Sequence, residues 1–295
     1  MSSNQIFEKK LKFRQDSRMS DAWRALFKNK AAALGLIFIC ILCFLSVFGK
    51  YLMPFDPNFT KQSLANPALP SAEHWLGTDQ HGRDILSRII DGTRISMFVG
   101  VVSVFFSLLI GTVIGAIAGF CGGRIDAIVM RFMDMLLAIP SMLLAITLMA
   151  SLKPGLDKAI ISISIVYIPH YALIVRSSVL SEKTNDYAQA YKVMGASNSY
   201  TLLKGILPNI ISNIIVRATL GISVAIIDLA ALGFLGLGVK DPQAEWGTMV
   251  SESRRFFEAK PHTLFFPGAM IMLTVLAFNL LGDGLRDALN PKSKK

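Results

Sequence analysis

The sequence is poor in the residues that a water-soluble chain of its length needs on its surface. Hydrophobic residues fill 53% of its 295 positions and charged residues only 17%, which leaves too little polar surface to cover a soluble domain. It also lacks a G-x-x-x-x-G-K-[ST] loop from end to end, so nothing in it can cradle nucleotide phosphates in that way. Cysteine is scarce: Cys40, Cys43 and Cys121 lie in or at the end of apolar runs, where a thiol behaves as a small hydrophobe, and they indicate neither a disulfide framework nor a zinc site. His74, His81, His170 and His262 include no i, i+4 ligand pair, and no metal site is expected. No nucleophile, base and orienting group recur at a usable spacing, which argues against an enzyme embedded in the membrane. GDGLRD, residues 282–287, has the wrong ligand spacing for a calcium loop. The net charge of +10 is spread along loops rather than interleaved with aromatics, so nucleic acid is not an expected partner.

What the sequence has is long apolar runs. A helix needs about 20 such residues to cross the hydrocarbon core, because every backbone amide in lipid must be satisfied internally. Six stretches qualify, near 31–52, 97–121, 132–152, 159–180, 210–238 and 264–281, the fourth interrupted by Pro169 and His170. The expected fold is therefore an all-α integral membrane protein with six transmembrane helices and a lipid bilayer as its surroundings. Eight Lys or Arg precede the first run, which has no A-x-A exit and reads as a signal anchor. With a cytoplasmic N-terminus, and with Lys50 and Arg176 at span ends counted to the adjoining loops, the inner segments hold 18 of the 30 basic residues and the outer ones 11, Arg217 falling at a span. Both termini are expected in the cytoplasm. The division is a basic N-terminus at 1–30, an anchor span at 31–52, an external loop at 53–96, a core at 97–281 that includes a cytoplasmic loop at 181–209, and a tail at 282–295.

The cytoplasmic loop is the most informative. YAQAYKVM, Tyr187 to Met194, is built of good helix formers, with Asp186 ahead of it as an N-cap at the positive end of the helix dipole. Gly195 can take the positive φ that ends a helix, Ser197 or Asn198 can cap a second one through Tyr200, Leu202 and Leu203, and Pro208 is expected to stop it. The result is either an interfacial linker or a lever into a cytoplasmic partner.

Other residues carry open readings. Gly111, Gly115 and Gly119 strip one helix face of side chains and let a second backbone approach, either within the chain or in a partner. Asp228, an ionisable group within a span, faces either a translocation path or interfacial water. Asp79, Arg83, Asp84 and Arg94 make either a solvated loop with weak ion pairs or, with Glu245 and Trp246, an external gate or docking surface. A stand-alone secondary transporter would need repeated broken helices and several buried charges, and no convincing internal repeat exists.

The order of small residues, Gly195 and Leu207-Pro208 resembles the EAA loop of ABC importer permeases. The triplet here is Gln189, Ala190, Tyr191, which departs from Glu-Ala-Ala at two positions. HWLGTDQHGRDILSRIIDGTRIS (74–96), GFLGLGV (233–239), EWGTM (245–249) and FNLLGDGLRDALNP (278–291) resemble the second permease subunit of dipeptide, oligopeptide and nickel importers. Gly233, Asp241 and Asn290 stand where that pattern leads one to expect Ser, Pro and Asp, and the likeness runs from Trp23 to Pro291. The resemblance implies a type I ABC importer permease fold, an anchor span plus a five-helix core, in a bacterial inner membrane. It implies a homologous second permease, two ATPase subunits and an external substrate-binding protein as partners, with ATP and Mg on the ATPases and no cofactor on this chain. It implies alternating access for a di- or oligopeptide, nickel or another small solute. It also implies that Asp186, Tyr187, Ala188, Gln189, Ala190, Tyr191, Lys192, Met194, Gly195, Ala196, Ser197, Leu207 and Pro208 couple the chain to an ATPase.

Overall fold

The structure is a computed structural model that describes residues 24–59 and 67–289; most of the basic N-terminus, Trp23, Asn290 and Pro291 lie outside the described residues. Among the described residues the one strand-like pairing is an isolated bridge between Thr78 and Asp84, and the rest of the regular structure is helical. Helix α1 is Lys30–Phe48, begun by Asn29, whose side chain accepts from the amides of Ala31 and Ala32. Helix α2, Ile85–Cys121, is 37 residues long, and α3 (Gly123–Leu137) and α4 (Ser141–Leu152) follow it. Then come α5 (Leu156–Lys183), α6 (Asp186–Val193), α7 (Asn198–Phe234), α8 (Trp246–Ser253) and α9 (His262–Leu289).

Five of these helices, α1, α2, α5, α7 and α9, are long and apolar enough to cross a membrane, and α3 with α4 makes a sixth span bent by 85°. The bend corrects the expectation of one straight span over 132–152. Pro140 ends the helical register between the two halves, since it has no amide to continue the ladder. Pro169, by contrast, lies buried inside an unbroken α5, as prolines in membrane helices can when their neighbours re-satisfy the freed groups.

Helix α2 begins at Ile85, not near 97, so the segment 85–96 that looked like external loop is its first three turns. Polarity hid it: Ser87, Arg88, Thr93 and Ser96 are all buried against protein. Helix α7 also departs from expectation. Pro208 does not stop it, because a π-helical segment, Thr201–Ile206, shifts the hydrogen-bond register just upstream. The amide of Leu207 reaches back to Leu202, and Asn209 Nδ2 donates to the carbonyl of Gly205 at 2.9 Å. The segment from Asn198 and the span that follows it are one continuous rod.

The central contact is α2 against α5. Gly111 faces Tyr171 and Ile168, Gly115 faces the backbone of Ala172, and Gly119 faces the carbonyl of Arg176. The same face continues outward as hydroxyls: Ser107 Oγ donates to the Ser164 carbonyl at 3.0 Å, and Ser164 Oγ to the Ser103 carbonyl at 3.2 Å. Small residues thus recur every four positions from Ser103 to Gly119, and the two backbones meet along that stripe. This settles the open reading of Gly111, Gly115 and Gly119: they pack within the chain. Elsewhere α9 packs on α1 and α7, with Gly35 against the Ala277 carbonyl and Gly284 against Ala32.

A Cβ at position 115 would run into the Ala172 backbone, whereas one at Gly268 would meet nothing within 4 Å. Gly115→Ala should therefore destabilise the purified chain by about 1–3 kcal/mol as an overpacked site. Gly268→Ala should be neutral or stabilising by about 0.4–1 kcal/mol, through the entropy lost from the unfolded chain. Thermal unfolding in one detergent checks both, and equal effects would contradict this packing.

Candidate functional site

Two constellations stand at opposite ends of the α2–α5 pair. At one end is the elbow formed by α6, the corner after it and the start of α7. Asn185 occupies the cap position of α6, so Asp186 is its first residue and places its carboxylate in the first turn. Gly195 has φ +77°, and nothing lies within 4 Å of where its Cβ would be, so the corner requires glycine for conformation and not for space. The amide of Ala196 closes back on the Tyr191 carbonyl at 3.0 Å and that of Gly195 on Lys192 at 3.0 Å, which satisfies the last carbonyls of α6. Ser197 then caps the next helix by accepting from the Tyr200 amide at 3.3 Å.

The elbow is seated on the spans. Ala188 is buried in a cluster with Ala116 and Phe120 of α2, Val175 and Val179 of α5, and Ile206 and Ile210 of α7. Tyr187 Oη donates to Glu182 at 2.5 Å, and Lys183 Nζ donates to the Phe120 carbonyl at 2.5 Å, capping α2. Asp126 of α3 takes both ends of the Arg176 guanidinium, at 2.5 and 2.6 Å, so α3 is tied to the same end. Tyr191, where the family triplet has a small residue, lays its ring over Gly205 in the π-helical segment. That glycine makes room for the departure. The remaining residues point away: Gln189, Ala190 and Lys192 are exposed, and so are Val193 at 88% and Met194 at 72%.

At the far end lies a buried charged joint. Arg83 Nε donates to Asp79 at 2.6 Å, Nη1 to Asp241 at 2.5 Å and Nη2 to Glu252 at 3.0 Å. Arg88 is fully buried beside it, with Nε 3.5 Å from Asp79 and Nη2 3.8 Å from Glu252, and Nη1 donating to the carbonyls of Pro57 and Pro242. Asp84 caps α2 by accepting from the Ser87 amide at 2.8 Å and also takes His74 Nδ1 at 2.9 Å. Glu245 caps α8 through the amides of Gly247 and Thr248, and the neighbouring Trp246 donates its indole N–H to the Ile89 carbonyl at 3.2 Å. Gly92 lies against the Trp246 ring, and Gly233 lies against the Glu245 carboxylate where a larger residue would intrude.

These positions correct two readings, that of a solvated loop and that of a docking surface made by these side chains. Asp79, Arg83, Asp84, Glu245 and Trp246 are all buried, so none offers a side chain to a docking protein; of that set only Arg94 is exposed, in a cleft with Lys50, Asp56 and Asp91. Exposed aromatics of the loops at this end include Phe59, Trp75 and Phe257. Arg88, Asp241 and Glu252 help carry the joint; the sequence marked Asp241 only as a departure from the family pattern and did not mark Arg88 or Glu252, although an arginine inside the apolar LSRII was a signal. Asp228 accepts from Tyr167 Oη at 2.5 Å and so ties α7 to α5.

The family model described as binding-protein-dependent transport system inner membrane component matches residues 111–295. The model for the N-terminal TM domain of oligopeptide transport permease C matches residues 17–70. The dipeptide transport system permease protein DppC of Alkalihalophilus pseudofirmus is 47% identical over 280 residues, 93% of this chain and 90% of that one. The protein of the same name from Haemophilus influenzae is 45% identical over 292 residues, 97% and 98% of the two chains. The glutathione transport system permease protein GsiD of Pectobacterium atrosepticum is 42% identical over 273 residues, 92% and 90% of the two.

Arg83→Met would leave Asp241 without its cation, and Asp79 and Glu252 with only their longer contacts to Arg88, and should destabilise the chain by about 3–5 kcal/mol, read as the loss in thermal midpoint. Glu245 supplies a pH test, because burial pushes its carboxyl above the ordinary value of 4.5. The folded state then holds that proton more tightly than the unfolded one, so its contribution is greatest at low pH and falls as pH rises past 4.5. Glu245→Gln removes this loss. The midpoint of the variant minus that of the parent should therefore increase from pH 4 to 7, and a difference that is flat or falling would contradict the assignment.

Proposed function

Because this chain belongs to the family of binding-protein-dependent transport system inner membrane components, and is thus a multi-pass transport permease, we propose that it serves an ATP-driven importer of short peptides. Two ATPase subunits supply the energy, and the exposed face of the elbow seats on one of them. The observation that carries this reading is the construction of the elbow. Its inner face is locked to α2, α5 and α7 through Ala188, while Val193 and Met194 stand outside the bundle as apolar surface that the described residues leave exposed. Large exposed apolar groups beside polar ones mark an interaction site. A short helix fixed to three spans transmits displacement as a rigid body.

The elbow end faces the cytoplasm, both termini lie there, and the chain sits in a bacterial inner membrane. The buried joint at the other end faces the outside, where Trp75 and Phe257 offer surface to a substrate-binding protein. A homologous second permease completes the pathway, and the two open alternately to either side. The transport names of the relatives, dipeptide and glutathione, favour a small peptide as cargo over nickel.

The test uses a background in which Cys40, Cys43 and Cys121 are replaced, and a cysteine at Gln189 or Ala190. In membranes holding the assembled transporter, an ATPase subunit should crosslink to it, with a yield that changes several-fold when nucleotide is added. Absence of any nucleotide-sensitive crosslink from positions 189–194 would sink the coupling assignment.

A further inference from the structure

Between α5, α7 and α9, toward the elbow end of the bundle, lies a cleft of about 450 Å³ whose polar lining is Ser177, Ser178, Asn213, Arg217 and Arg286. Its remaining walls are apolar, among them Ile174, Leu220 and Leu289. Neither arginine makes an ion pair with any described residue, and Asp283 and Asp287, the nearby acids on α9, hold neither of them. The hydroxyls of Ser177 and Ser178 donate to the Ile174 carbonyl at 2.9 Å and, being neutral, cannot balance the charge of the cations. Arg286 lies three residues before the end of α9, and Ser177 about 9 Å along α5 from Lys183 at 1.5 Å per residue. The cleft therefore opens near one edge of the spans. An arginine placed in a span without a partner is costly, and its usual remedy is an anion or water within reach.

We propose that this cleft binds the phosphodiester headgroup of an anionic phospholipid. Two guanidinium groups and the Asn213 amide provide the donors a phosphate oxygen set requires, and guanidinium is the side chain best matched to that geometry. The half-apolar wall and the placement between membrane helices favour a lipid over a soluble anion, since a lipid brings its glycerol and first methylenes to Ile174, Leu220 and Leu289. The lipid would bridge α5, α7 and α9 at this end, whereas the Ser223–Asn279 hydrogen bond links α7 and α9 farther along. The proposal does not depend on the cargo or on the ATPase contact.

The experiment is native mass spectrometry of the full chain in its assembled complex, titrated with phosphatidylglycerol or phosphatidylcholine. The parent should retain phosphatidylglycerol at least tenfold more tightly than phosphatidylcholine. Arg217→Gln with Arg286→Gln should remove that preference, Arg217→Lys with Arg286→Lys should keep part of it, and Lys240→Gln, in the outer loop, should leave it intact. If the double glutamine variant does not assemble, Arg286→Gln alone, at the exposed end of α9, should still weaken retention several-fold. Retention unchanged in both glutamine variants would overturn the proposal, as would equal binding of the two lipids. Displacement of the lipid by millimolar inorganic phosphate or by a dipeptide would also overturn it, marking the cleft as a site for a soluble anion.

Discussion

Backbone against backbone along α2 and α5 is the contact on which the other features depend. In lipid there is little hydrophobic gain from bringing two helices together, so association rests on close packing and on hydrogen bonds between helices. Gly111, Gly115 and Gly119 supply the first, and Ser107 with Ser164 the second. Because α2 is 37 residues long, the pair extends from the buried arginine joint at one end to the elbow at the other. Arg88 and the Asp84 cap belong to its first turns, and the Phe120 carbonyl at its last turn takes Lys183. Both functional ends are therefore mounted on one shaft.

The two ends are built on different physics. At the elbow the inward face is apolar and the corner is a matter of backbone conformation, with Gly195 at positive φ and Ser197 restarting the helix. At the opposite joint the fixing agent is charge, with the buried Arg83 bridging Asp79, Asp241 and Glu252. Such networks add little net stability compared with apolar packing, but removing one member leaves buried charge uncompensated. That suits a joint between α2, α8 and the loop before α8. Asp241 departs from the family pattern and Gly233 does too, yet each has a local reason: one completes the Arg83 set, and the other clears space for the Glu245 cap.

Much of this was legible in the sequence where one local rule decides the outcome. Six apolar runs of sufficient length foretell the spans, and the order Asp186, Gly195, Ser197 foretells a helix, a corner and a second helix. Sequence reading failed where polar residues are buried by distant partners. The stretch 85–96 carries Arg88, Asp91 and Arg94 and reads as loop, because its burial depends on α8 and on the loop before it. Pro208 reads as a terminator because the π-helical turn that accommodates it has no local signature. The small-residue stripe was seen at Gly111, Gly115 and Gly119 and missed at Ser103 and Ser107, whose role shows only once Ser164 is opposite them. Trp246 and Glu245 were read as exposed surface for the same reason.

The central claim is that the shaft moves as one piece. Spin labels at Gln189 on the elbow and at Phe98 on the exposed outer half of α2 report on it directly in the reconstituted transporter. The account predicts that the distance between them is unchanged by nucleotide, while the distance from the label at position 98 to one on the second permease shifts. A nucleotide-dependent change of several ångströms between positions 189 and 98 would show that α2 and α5 bend or slide, and would contradict the account.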